Sequence, residues 1–74
     1  MPIDYNNLLT PEQKSSILNQ RISQFAAEAW QHELNKQTCE RIGDSEGVQS
    51  AVKALAVLEA AISVHSEELS GLEA

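Results

Sequence analysis

The chain has few of the residues that stabilise small proteins by covalent or metal chemistry. Its 74 residues include one cysteine, Cys39, so no internal disulfide can form, and we expect a reducing compartment. Its cysteine and histidines do not have the spacing of a zinc site. Because a chain of this length buries little surface without a disulfide or a metal, oligomerisation is the remaining way to enlarge the core.

Long apolar runs and positive charge are also scarce. The longest apolar run, Ala54 to Leu58, is far shorter than the roughly 20 residues of a membrane span. The first residues carry no basic segment followed by an apolar run, so no secretory signal is expected. Five Lys and Arg against eleven Asp and Glu argue against general nucleic-acid binding. We therefore expect a cytoplasmic protein that has neither a membrane nor a nucleic acid as its partner.

Patterns of catalytic residues are missing too. The serines lie in no nucleophile-elbow or P-loop motif, and Cys39 has no histidine within one helical turn. His32 follows Glu28 by one turn and could bind a metal or act as a base, but we interpret it as part of a helix–helix contact. His65 is interpreted as a hydrogen-bonded polar residue that fixes register or oligomer state rather than as a ligand. We predict no catalytic residue, no metal site, no cofactor and no enzymatic activity.

What the sequence does contain is helical periodicity. In the second half of the chain, residues step by three and four along one helix face: Val48, Ala51, Leu55, Leu58, Ile62, His65, Leu69 and Leu72. A matching face in the first half consists of Leu18, Ile22, Phe25, Ala29, His32, Lys36 and Cys39. Thr10 and Gln13 form the pattern of a capping box, and Gly43 suits the end of the first helix. These patterns predict two long helices.

The predicted fold is a single all-α domain, an antiparallel two-helix hairpin with a short N-terminal arm. The arm covers residues 1–9, the first helix 10–43, the turn 44–47 and the second helix 48–72. Two long helices joined by a short turn pack antiparallel, which puts Phe25 opposite His65.

Charge and the arm give two further expectations. The predicted register brings Arg21 and Lys14 towards Glu67 and Glu68, which would compensate the acidic end of the second helix. The apolar residues of the arm are expected to fold back on the helices; the alternative is that the arm reaches a neighbouring subunit or a ligand.

A second apolar row lies beside the first on the second helix. We define the outer row as Ala54, Val57, Ala61 and Val64, which repeat the same steps. Two helices leave this row uncovered, together with Trp30 and Leu34, and exposed apolar patches usually mark interfaces. We predict a homo-oligomer, either a dimeric four-helix bundle or a larger assembly, with these six residues at its interface.

Positive charge gathers in the sequence near the turn. Lys36, Lys53 and Arg41 are expected close to the N-terminus of the second helix, a combination typical of anion sites. Gln37 and Trp30 could add hydrogen bonds and stacking. The alternative is that Lys36 extends from the helix contact to solvent and that Arg41 pairs with a neighbouring acidic residue.

Several segments resemble small helical phage accessory proteins. The arm ends in Leu9-Thr10-Pro11-Glu12-Gln13, and the second helix carries Lys53-Ala54-Leu55 and Leu58-Glu59-Ala60-Ala61. The second helix is similar to that of phage proteins that sequester cyclic-nucleotide immune signals, although it has fewer cations and no aromatic residue. The resemblance implies an oligomer with inter-subunit pockets for a phosphate-rich ligand, with Tyr5 and the lysines as contacts, in the host cytoplasm.

Two classes of function are therefore expected. In the first, the chain is a stoichiometric inhibitor or adaptor that presents its helical faces to another protein. In the second, it is an oligomer that sequesters an anionic small molecule.

Overall fold

Two long helices and one short helix make up the fold. The computed structural model describes residues 3–73, and every regular element within that range is a helix: α1 (Tyr5–Leu8), α2 (Pro11–Ile42) and α3 (Ser45–Glu73). The helices α2 and α3 pack against each other along their length. The molecule measures 50 × 28 × 16 Å, about one helix thick in its smallest dimension. The predicted all-α hairpin is confirmed.

Both ends of α2 are capped as the sequence predicts. The Thr10 hydroxyl accepts from the Gln13 amide at 3.1 Å, and the Gln13 side chain accepts from the Thr10 amide at 2.9 Å. At the other end Gly43 adopts a left-handed conformation with φ 75°, which a glycine accepts without steric cost. The Asp44 amide then donates to the Cys39 carbonyl at 2.9 Å, which closes the helix in a Schellman motif.

The turn is shorter than predicted. A polar turn was expected over residues 44–47, but α3 already begins at Ser45. The reason is Asp44, whose side chain accepts from the Gly47 amide at 3.0 Å and satisfies a free N–H of the first turn. Gly47 also lets the two helices approach closely, since a Cβ atom there would lie 2.5 Å from the Cys39 sulfur.

The predicted face-to-face packing of the two helices is present. Every residue of the two predicted faces is buried or half-buried, and Ala51 and Leu58 are the most enclosed, at 5% and 8% exposure. The rings of Phe25 and His65 meet edge to face with their centroids 5.0 Å apart, which confirms the register. The Arg21 guanidinium lies over the Phe25 ring, 5.3 Å from the ring centroid.

The N-terminal arm differs from the prediction. An irregular segment was expected, but Asp4 caps the single turn of α1 by accepting from the Asn7 amide. The prediction that the arm buries its apolar residues on the long helices is wrong for Ile3, Tyr5 and Leu8, which are exposed, whereas Leu9 is half-buried. One turn of helix is too short to cover its own apolar side chains.

The hairpin exposes more surface than a folded protein of its mass normally does. Its solvent-accessible surface is 5792 Å². For a monomer of 8.1 kDa the usual size relation gives about 4,500 Å². Of the residues that the structure describes, only Ala51 and Leu58 are buried. About 1,300 Å² of surface is therefore in excess of what a self-sufficient monomer of this mass would expose.

Candidate functional site

The outer row forms an exposed apolar strip on α3. Val57 and Val64 are 70% and 56% exposed, while Ala54 and Ala61 are half-buried beside the α2 contact. The steps of three and four continue to Glu68. This one helical face therefore offers two valines, two alanines and a terminal carboxylate.

The N-terminal arm lies on the same side of the hairpin as the outer row. Glu68 lines a cleft together with Ile17 and Leu18 of α2 and with Leu9 and Lys14. Lys14 also donates to the Asn6 side chain, which ties α1 to the start of α2. The predicted approach of Lys14 to Glu68 is present, because both residues line this cleft.

Trp30 and Leu34 do not share a face with the outer row. Ile17 lines the cleft with Glu68 and therefore marks the side of α2 that faces the same way as the outer row. At about 100° per residue, Trp30 points about 140° and Leu34 about 100° away from Ile17 around the α2 axis. Trp30 is 67% exposed. The predicted interface of six residues therefore divides into two separate surfaces: the outer row on α3, and Trp30 with Leu34 on the back and opposite side of α2.

A shallow groove runs along the back of α2. It is lined by residues of α2 alone: Leu34, Gln37, Thr38, Arg41 and Ile42. Two predicted ligand residues, Gln37 and Arg41, meet here. Thr38 and Ile42 were not predicted as site residues. Thr38 follows Leu34 by four residues and Ile42 follows Thr38 by four, which places all three on the same helix face. The Thr38 hydroxyl donates to the Leu34 carbonyl at 2.9 Å and is thereby held against its own helix.

The expected cluster of cations does not converge on one point. Lys36 is half-buried in the contact between α2 and α3. Arg41 follows it by five residues and points about 140° away from it around the α2 axis. Lys53 is exposed on α3, about 140° from the buried Leu58 around the helix axis. The three side chains therefore leave the hairpin in different directions.

The N-terminus of α3 is already occupied by carboxylates. Asp44 takes the Gly47 amide, and Glu46 lies in the first helical turn. A cleft at this end is lined by Cys39, Glu40 and Asp44, among other residues. Acidic side chains compete with an external anion for the positive end of the helix dipole. They therefore weaken the electrostatic interaction on which the predicted anion site at the turn depends.

Tyr5 lies at the opposite end of the hairpin from Arg41. It lines an open cleft with Ile3, Asn6, Lys14 and Glu68. Lys14 and Arg41 are separated by 27 residues of the continuous helix α2, or about 40 Å. Within one subunit Tyr5 cannot join Arg41 and Gln37 around a small ligand.

The two histidines take part in helix packing. His32 is half-buried in the contact between the long helices. The Nδ1 atom of His65 lies 2.6 Å from the Ala61 carbonyl of its own helix, while its ring packs against Phe25. His65 therefore contributes to the register through its ring, and its hydrogen bond stays within α3. Among residues 3–73, groups of three or more His, Cys, Asp or Glu that could hold a metal ion are absent.

The helix α3 is long and apolar enough to cross a membrane by length and composition alone. The longest uninterrupted apolar run understated this property, because single polar residues such as Glu59 and Ser63 divide the apolar stretch into short runs. Core helices of soluble proteins share this length and composition. Only 11% of the apolar stretch is buried within the hairpin, which again identifies α3 as a helix without a complete cover.

Comparison with known protein families, with curated proteins and with solved structures finds no match for this chain.

Proposed function

We propose that this chain is a non-catalytic subunit of a homo-oligomer that acts by stoichiometric binding, as an inhibitor or adaptor of the phage accessory type. The observation that carries the proposal is the excess of exposed surface on a hairpin in which two of the residues 3–73, Ala51 and Leu58, are buried. A standard protein interface buries about 800 Å² on each partner. One such interface would remove more than half of the excess of about 1,300 Å².

The separation of the two apolar surfaces supports a division of roles. Dimerisation about a two-fold axis covers the same patch on both subunits. If the outer row forms that patch, Trp30 and Leu34 remain at the surface, available to a different protein. Large aromatic side chains are enriched among the residues that dominate binding energy at interfaces. An adaptor or inhibitor needs this combination of one surface for itself and one for its target.

Sedimentation velocity over a concentration series tests the assembly. We expect an oligomer at micromolar concentration and a melting temperature that rises with protein concentration, because association stabilises the folded state by mass action. A folded monomer at micromolar concentration with a concentration-independent melting temperature would refute the proposal.

The single tryptophan gives a test of the second surface. Because Trp30 is exposed on α2, binding of a target protein there should shift its fluorescence to shorter wavelength. Native mass spectrometry of the protein purified from its host identifies the target and the subunit count together. We expect Trp30→Ala to abolish the target complex without changing the oligomer. Gln20→Ala, at an exposed site of α2 outside both surfaces, is the control and should leave both unchanged.

A second candidate function is the sequestration of an anionic, nucleotide-type signal in pockets between subunits. The observation that favours it is the groove in which Arg41 and Gln37 meet, with a hydrophobic wall from Leu34 and Ile42. A guanidinium and an amide on an apolar wall can hold a phosphate and a base. Calorimetric titration with cyclic dinucleotides tests it: Arg41→Ala should abolish binding while the oligomer stays intact. Binding that survives Arg41→Ala, or no binding by the wild-type oligomer, refutes this function.

A further inference from the structure

The outer row has the properties of a surface that packs on a copy of itself. Its two valines are the most exposed members, and its two alanines leave room for a close approach of helix axes. The helix that carries it has one basic residue, Lys53, near its start. Its acidic residues Glu67, Glu68 and Glu73 lie near its end.

We propose that α3 packs antiparallel against α3 of a second copy along the outer row, about a two-fold axis beside Ala60 and Ala61. This inference rests on the homo-oligomer of the proposed function and specifies its interface. An axis midway between residues 60 and 61 puts Val57 of each copy opposite Val64 of the other. The same axis puts Lys53 of each copy level with Glu68 of the other.

Charge selects this orientation over the parallel one. A parallel pair would bring Glu67 and Glu68 of both copies together at one end, where like charges repel. The antiparallel pair places the one cation of α3 beside the acidic end of the other copy at both ends of the interface. Within the hairpin, Lys14 lines a cleft with Glu68, whereas the Arg21 guanidinium lies over the Phe25 ring.

A second copy fits the outer row better than a lipid bilayer does. Any stretch of about 20 residues within α3, the length of a membrane span, contains Glu59 in its middle half. A charged side chain at the bilayer centre is costly to insert. In the antiparallel dimer, Glu59 points about 160° away from Ala61 and stays in water.

Charge reversal tests the predicted register. We expect Lys53→Glu and Glu68→Lys each to raise the dimer dissociation constant about tenfold at low salt, since each replaces two attractive pairs with two repulsive ones. The double variant should return to the wild-type value, because it restores both pairs. Glu59→Lys makes the same charge change as Glu68→Lys on the far side of α3 and should have little effect. Sedimentation equilibrium measures all four constants.

Cross-linking tests the same register without relying on charge. In a Cys39→Ser background, Val57→Cys and Val64→Cys are prepared as separate proteins and then mixed. Introduced thiols at 57 and 64 face each other across the interface, so the mixture should form a disulfide-linked heterodimer. Two copies of the same variant place their thiols about 10 Å apart along the helix axis of α3, beyond disulfide reach, and should not cross-link.

The outcomes separate this inference from the proposed function. Rescue by the double charge swap, together with cross-linking of the mixture alone, supports the antiparallel α3 pair. An oligomeric wild type that shows neither result overturns the interface and leaves the homo-oligomer standing. A monomeric wild type overturns both. Co-sedimentation of the protein with neutral phosphatidylcholine vesicles, without self-association in their absence, identifies the bilayer as the occupant and also overturns the inference.

Discussion

Replacing glycine with alanine is predicted to change the stability of the fold in opposite directions at two positions of α3, Gly47 and Gly71. An alanine Cβ at Gly47 would lie 2.5 Å from the Cys39 sulfur and 2.6 Å from an oxygen of the Asp44 side chain. At Gly71 the same Cβ would meet nothing within 4 Å. Replacing glycine with alanine in a helix normally stabilises it by up to about 1 kcal/mol. The two sites therefore separate this intrinsic gain from the effect of close packing.

The magnitudes predict a change of sign. Forcing an extra methyl group into a packed contact typically costs about 1–3 kcal/mol. Gly47→Ala should therefore lower the free energy of unfolding by roughly 0–2 kcal/mol after the helix gain is included, and Gly71→Ala should raise it by up to about 1 kcal/mol. For a chain of this size, 1 kcal/mol corresponds to about 4–8 °C in melting temperature. Thermal melts followed by circular dichroism, at one fixed protein concentration, measure the difference.

A double variant identifies the cause. Cys39→Ala removes the nearest atom, so Gly47→Ala should cost less in that background than in the wild type. An increase in stability for Gly47→Ala equal to that of Gly71→Ala would refute the close approach of α2 and α3 at the turn. Equal costs in both backgrounds would assign the effect to Asp44 rather than to the helix contact.

Two further substitutions test the fold at other points. Thr10→Ala removes the hydroxyl that accepts from the Gln13 amide and should lower the free energy of unfolding by about 1 kcal/mol. Thr10→Ser keeps the hydroxyl and should retain most of that stability. Chemical denaturation measures both variants. Leu58→Ala truncates a buried side chain and should lower the free energy of unfolding by about 2–5 kcal/mol. Val52→Ala, at a 46% exposed site of the same helix, is the control and should stay within about 0.5 kcal/mol. Equal losses at Leu58 and Val52 would contradict the assigned helix face.

The hairpin and its register were predictable because their determinants are local or periodic. Thr10 and Gln13 form a cap within four residues, and Gly43 ends α2 through its own backbone conformation. The Phe25–His65 contact follows from helical periodicity once the turn is placed. The start of α3 was placed three residues too late, because the cap at Asp44 lets the helix begin inside the polar turn, at Ser45.

The candidate sites were harder to predict because they depend on direction around a helix as well as position along it. Lys36 and Arg41 are near neighbours in sequence, yet they point to different sides of α2. Trp30 and the outer row are both apolar and uncovered, but they belong to different faces. Counting the uncovered apolar residues shows that apolar surface is exposed. The angular position of each residue around its helix is needed to show that this surface is divided into two.

The short connection at Gly43 and Asp44 also sets the order in which the hairpin can close. The contact between Cys39 and Gly47 joins residues eight positions apart, whereas Phe25 and His65 are forty positions apart. By the logarithmic dependence of loop entropy on length, forming the second contact first costs about 1.4 kcal/mol more than forming the first. Pairing is therefore favoured to start at the turn and proceed towards the open end, and fraying follows the reverse path. The end that opens first is the one that carries α1, so the exposed apolar residues of the arm lie on the least persistent part of the hairpin.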